Sequence, residues 1–136
     1  MDAIKGFRGK YFYLSNYYSE LVEYNHKVYK NNEAAFHAQK DVSRANEFTN
    51  LIPRDAKRLG RSVKLRDDWE EVKYNEMFNI VYAKFSQNED LAKKLKETGS
   101  AYLEETNTWK DKYWGVYNGI GENNLGKILM SVRDLI

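Results

Sequence analysis

The sequence contains no cysteine. Disulfides, thiolate nucleophiles and zinc sites built on cysteine are therefore excluded. Histidine is nearly absent as well. His26 and His37 are too few and too far apart for a metal cluster, so neither a metal nor another cofactor is expected. Proline occurs once, at Pro53, and there is no internal repeat, low-complexity run or linker. A chain of 136 residues with these properties is expected to form a single domain over residues 1–136. No apolar run approaches the ~20 residues of a membrane span. The opening MDAIKGFRGKYFYLSNYY lacks the continuous apolar core of a signal peptide. Together with the missing cysteine, this fits a cytoplasmic protein with no membrane partner. A net charge of +2 is too small to mark a nucleic-acid binder by itself.

What the sequence does have is tyrosine: 11, against 6 phenylalanines and 3 tryptophans. Tyrosine joins an apolar body to a polar tip, which suits either a half-wet pocket or the margin of a small core. ELVEYNHKVY (20–29) has the pattern of a hairpin turning at Asn25-His26. A helix is expected from about 33 to 42, with a further turn at 44–50. Pro53 suits a first helical position and opens a helix that stops near Gly60. The longest helix is expected from a cap at Asp67 or Asp68 to about Ser86. Tyr74, Met77, Phe78, Val81 and Phe85 follow the helical period as its core face, and Trp69, Lys73, Glu76 and Ile80 form a separate stripe. A shorter helix at 89–97 ends at Thr98-Gly99, and AYLEET (101–106) and KYWGV (112–116) read as strands. A last helix starts near Asn123 or Asn124. The expected class is α+β, mainly helical, with short antiparallel strands from the N-terminal and C-terminal parts.

Two stretches invite chemistry. In NNEAAFHAQK (31–40), Glu33, His37 and Lys40 share one helical face, with Phe36 beside them. GENNLGK (121–127) matches the G-x-x-x-x-G-K part of a phosphate-binding loop, but Ile128 removes the metal-binding hydroxyl, and nine residues leave no room for the rest of that fold. A weaker expectation survives: the glycine- and asparagine-rich loop from Gly119 to Asn124 leads into a helix start, whose free N–H groups can hold phosphate.

Several pieces occur in order: LSNYY (14–18), YKNNEAAFHAQK (29–40), AKRLGR (56–61), LRDDWEEVKYNEM (65–77), KF (84–85), LKETGSAYLEETN (95–107) and DKYWGVYNGIGENNLGKILMSVR (111–133). In this order the chain resembles the NADAR family, the YbiA-like N-glycosidases, along almost its whole length. It departs from the family pattern at Tyr17, at Ala34, where many relatives carry histidine, and in the loose glycine spacing of GVYNGIG.

The resemblance implies hydrolysis of an N-glycosidic bond to ribose. The implied substrates are the ribosylamino-pyrimidine phosphates of the riboflavin pathway, or ADP-ribose attached to guanine of nucleic acid. A module that binds ADP-ribose or a nucleotide without turnover is the alternative. Such hydrolysis passes through an oxocarbenium-like state that a carboxylate stabilises. Glu33 matches the motif glutamate and is the expected catalytic carboxylate; as an acid in a first turn it also suits the helix dipole. Lys40 matches the motif lysine. It is expected to contact substrate, or to attack ring-opened ribose as a Schiff-base nucleophile. Asp111 is expected to orient ribose hydroxyls. Ser15, Asn16, Arg66, Trp69, Trp114, Gly121 and Asn124 complete the expected binding set, with Arg66 on phosphate and a tryptophan stacked on the base. His37 is not a motif position and is read as packed beside the site.

Overall fold

Residues 2–136 are described by the computed structural model of the chain. The elements are β1 (Ala3–Lys5), β2 (Val22–Tyr24), β3 (Lys27–Tyr29), α1 (Asn32–Ala38), α2 (Pro53–Gly60), α3 (Trp69–Ser86), α4 (Glu89–Glu97), β4 (Tyr102–Glu104) and α5 (Asn124–Leu135), with 3-10 turns at Gly9–Leu14 and Val42–Phe48. This is the expected α+β class. The chain forms two compact units. A central unit holds Asn16–Gln87, and a terminal unit combines the segment ending at Ser15 with Asn88–Ile136.

In the central unit, β2 and β3 form the expected antiparallel hairpin, with Val22 opposite Tyr29. Its two turn residues, Asn25 and His26, both take positive φ, as the tightest hairpin turns require. α1 starts on a true cap: the Asn31 side chain accepts the Ala34 N–H at 2.7 Å. It stops at Ala38, short of the expected 42. The buried Gln39 side chain donates to the Ala35 carbonyl at 2.9 Å and so closes the last turn, and a 3-10 stretch takes over. α2 begins at Pro53 and ends at Gly60, as its sequence signals dictate.

α3 departs from its expected pattern. Trp69, Met77, Ile80, Val81, Lys84 and Phe85 are buried, whereas Tyr74 and Phe78 are only half-buried. The helix packs against both α1 and β2, so two stripes are covered rather than one. Asp68 occupies its N-cap position, but its side chain makes no cap bond because the carboxylate is held by Arg66.

In the terminal unit, the N-terminal and C-terminal strands do pair, but β1 runs parallel to β4, with Ile4 opposite Leu103. The antiparallel pairing expected there is thereby corrected. Parallel strands need a long crossover, and here the chain between Lys5 and Tyr102 supplies it. α5 presents Leu125, Ile128, Leu129 and Val132 to the core, as its period predicts, whereas Leu135, expected on the same face, is exposed in the last turn. KYWGV is not a strand. Lys110 takes a positive φ, the Asp111 carboxylate accepts the N–H groups of Tyr113 and Trp114, and Val116 forms a single bridge, to Thr106.

Candidate functional site

The first turn of α1 carries Glu33. Its N–H donates to the Asn16 carbonyl at 3.2 Å, which ties the turn to the LSNYY segment. Asn16 is buried beneath it. Its amide nitrogen lies 3.4 Å from the Met77 sulfur, and its side-chain oxygen accepts from Asn32 at 3.4 Å. Asn16 thus acts as scaffold under the carboxylate. One turn further along α1, His37 places Nε2 3.6 Å from Oε2 of Glu33, and both side chains are nearly buried.

Lys40 follows two residues after the end of α1. Burial lowers its pKa. The Glu33 carboxylate pulls it back up, and the charges of Arg61, Lys73 and Lys57 lower it again. Its ammonium sits 5.8 Å from the Trp69 ring, and that ring lies 5.1 Å from Phe36. The central unit therefore gathers an acid, an imidazole, a destabilised ammonium and two aromatic rings at one place. The expected stripe on α1 is real, although Lys40 reaches it from the turn rather than from the helix. Lys57 and Arg61 were missed by the reading of single residues. Their signal was AKRLGR, which carries three cations ahead of α3.

Arg66 donates its N–H to the Lys40 carbonyl at 3.0 Å, fastening the start of α3 to the Lys40 turn. Its guanidinium is already engaged, by Asp68 at 2.6 and 3.0 Å and by Glu76 at 3.4 Å. Glu76 in turn accepts from Tyr24, whose hydroxyl pKa is raised by burial and by that bond. Beside this cluster opens a cavity of about 490 Å³, lined by Lys40, Arg66, Lys64, Ser43, Asp41 and their neighbours. Of the two tryptophans expected to stack on a base, Trp69 is only 5% exposed and serves as a wall for Lys40. Trp114 is half-buried, edge-on to Tyr113 at 4.7 Å.

The terminal unit contains Ser15, Asp111, Trp114, Gly121 and Asn124. Ser15 is buried and donates its N–H to Phe12 at 2.9 Å. Asp111 organises its own loop: Oδ1 accepts the N–H groups of Tyr113 at 3.0 Å and Trp114 at 2.9 Å. Gly121 has no alternative, since a Cβ there would stand 2.1 Å from the Gly115 carbonyl oxygen at a φ of +155°. The N–H groups of Glu122, Asn123, Asn124 and Leu125 all donate to carbonyls between Lys112 and Gly115. Those four groups are spent on the protein's own backbone, so the phosphate cradle expected from Gly119 to Asn124 is not open at these positions. Asn123 is pinned in the left-handed region, at φ 55°. It bonds Leu103 and Glu105 with its side chain instead of capping α5.

Among the described residues, no group of three or more His, Cys, Asp or Glu is arranged to hold a metal, and no helix is long and apolar enough to cross a membrane.

Comparison with known proteins places these features in a family. The NADAR domain profile matches residues 6–136. N-glycosidase YbiA of Shigella boydii is 37% identical over 126 residues, covering 88% of this chain and 78% of that protein. Riboflavin biosynthesis protein VVA0006 of Vibrio vulnificus is 36% identical over 129 residues, covering 90% of this chain and 35% of that protein. Among solved structures, the NMR structure of the E. coli protein YbiA superposes with a TM-score of 0.87 at 34% identity, covering 98% of this chain and 84% of that one.

Proposed function

The chain belongs to the NADAR family and is a hydrolase acting on N-glycosyl bonds; from that premise we propose that it cleaves the bond between ribose C1′ and a nitrogen in a phosphorylated ribosyl substrate. The observation that carries this reading is Lys40, half-buried beside Glu33 and amid the cations Arg61, Lys73 and Lys57. That corner suits an anionic substrate, and the adjoining cavity has room for a ribose with its phosphate. The match to the family profile runs across both units, which supports one domain over residues 1–136. A cytoplasmic setting agrees with a cysteine-free chain that acts on phosphorylated metabolites.

Departure of the nitrogen leaves positive charge at C1′. Glu33 stabilises that charge or activates the incoming water. Lys40, with its lowered pKa, holds the substrate oxygens. In the covalent variant its neutral amine adds to C1′ of the ring-opened ribosyl iminium, the substrate nitrogen leaves as the free amine, and water then hydrolyses the Lys40 imine to the ribose aldehyde and the free lysine amine. Arg66 serves phosphate by exchanging contacts with Asp68 and Glu76 for charge-assisted bonds to the ligand.

Two substrate classes fit: ribosylamino-pyrimidine phosphates of the riboflavin pathway, and ADP-ribose on guanine of nucleic acid. The name of the Vibrio relative supports the first. Incubation with each, followed by mass spectrometry of the products, decides between them. Glu33→Gln is expected to lose ~10²-fold or more in rate with its fold intact. Wild-type turnover in that variant refutes the carboxylate assignment. Ligand binding without product from either class supports a non-catalytic ADP-ribose or nucleotide module instead.

A further inference from the structure

His37 lies outside the motif positions, yet the structure sets it against Glu33 and closes its other side. The residue is buried, at 7% exposure. Nε2 faces Oε2 of Glu33 at 3.6 Å. Nδ1 is buried with no hydrogen-bond partner among the described residues. It faces α2 at Gly60, where an added Cβ would stand 2.5 Å from Nδ1 and 2.9 Å from Cγ. Phe36 holds the ring edge-on with centroids 5.4 Å apart. The imidazole is therefore packed between Gly60 of α2 and the Phe36 ring.

From this geometry we infer that His37 is a positioning residue, locked as the Nε2–H tautomer, which directs its single N–H at the Glu33 carboxylate and fixes that carboxylate's rotamer for catalysis. Both ends of the ring select this tautomer. With the proton on Nδ1, a buried N–H would have no acceptor, the rarer and costlier defect in folded proteins. The bare Nε2 lone pair would then face a carboxylate oxygen, which repels it. With the proton on Nε2, the donor meets the acceptor, and the lone pair is the group left at Gly60. At 3.6 Å the contact is slightly long for a hydrogen bond, and such contacts often tighten when substrate fills the site. Gly60, the glycine of the LGR turn, is what lets the ring sit there at all. The inference rests on the reading of Glu33 as the catalytic carboxylate.

The test combines NMR with kinetics. Long-range ¹H–¹⁵N correlation on the wild-type protein reads the tautomer directly, and the Nε2–H pattern is expected for His37. Glu33→Gln should move the His37 ring nitrogens, since their partner has lost its charge. With a ribosyl substrate, His37→Leu keeps similar volume without a donor, and kcat should fall roughly 10- to 100-fold with little change in KM. His37→Gln places an amide N–H near the same point and should recover most of that loss. An Nδ1–H pattern, or His37→Gln failing as badly as His37→Leu, or a loss confined to KM, overturns the inference. The failure of the Glu33 reading is separable. There Glu33→Gln would turn over normally, whatever the tautomer of His37.

Discussion

Lys84 offers a test of the fold that is independent of the substrate. It lies on α3 with 2% exposure, and its ammonium sits 5.4 Å from the Tyr18 ring and 5.2 Å from the Phe85 ring. Burial pushes its pKa down from 10.5 to about 7, against the pull of Glu20. An unfolded lysine keeps its proton up to 10.5, whereas the folded one releases it near 7. Between those values the unfolded state binds more protons, so the stability contributed by this group rises with pH. Below about 7 the full cost of the buried charge is present, and above 10.5 it is gone. At about 1.36 kcal/mol for each pH unit, raising the pH from 7 to 9.5 should relieve about 3 kcal/mol. Lys84→Met keeps an unbranched apolar side chain and removes the charge. Urea unfolding followed by tryptophan fluorescence at pH 7, 8 and 9.5 gives stabilities for both proteins. The wild type should gain on the variant by that amount between pH 7 and 9.5, while shared titrations cancel in the difference. A difference that stays flat with pH would show that the ammonium is not a charge held at a cost, and the reasoning fails.

Three further outcomes are expected. Lys40→Ala should reduce turnover more than Lys73→Ala, because Lys73 acts on Lys40 only through its charge; borohydride during turnover should trap a mass adduct at Lys40 if the covalent route operates, and its absence leaves the electrostatic role alone. Arg66→Ala should weaken ADP-ribose binding by about 1.5–3 kcal/mol in calorimetry and leave free ribose nearly unaffected; equal losses would mean that the pairs with Asp68 and Glu76 are its whole purpose. Asp111→Ala removes the acceptor for two N–H groups, so hydrogen exchange at Tyr113 and Trp114 should speed up, with a stability loss of about 1–2 kcal/mol; unchanged exchange would show that the loop holds without it.

The sequence by itself determined the elements whose signals are local. The Asn25-His26 turn, Pro53 at the head of α2, Gly99 after α4 and the apolar period of α5 all act within a few residues, and each falls where it was expected. The glutamate and lysine spacing around α1 was equally legible, because a helical turn brings such residues together whatever surrounds them. What lay beyond the sequence were choices made by partners far along the chain. KYWGV has strand composition, but the Asp111 side chain takes its N–H groups first. β1 and β4 pair in parallel, which the long crossover between them permits, and no local pattern encodes direction. The glycine loop looked open to phosphate until its N–H groups found carbonyls at 112–115. The burial of Lys84 and the setting of His37 against Gly60 also depend on elements that approach only in three dimensions. Local sequence fixes backbone shape over one or two turns. The state of a buried charge, a tautomer or an N–H group is set by whichever atoms the packed chain brings within a few ångströms, and those come from elsewhere in the sequence.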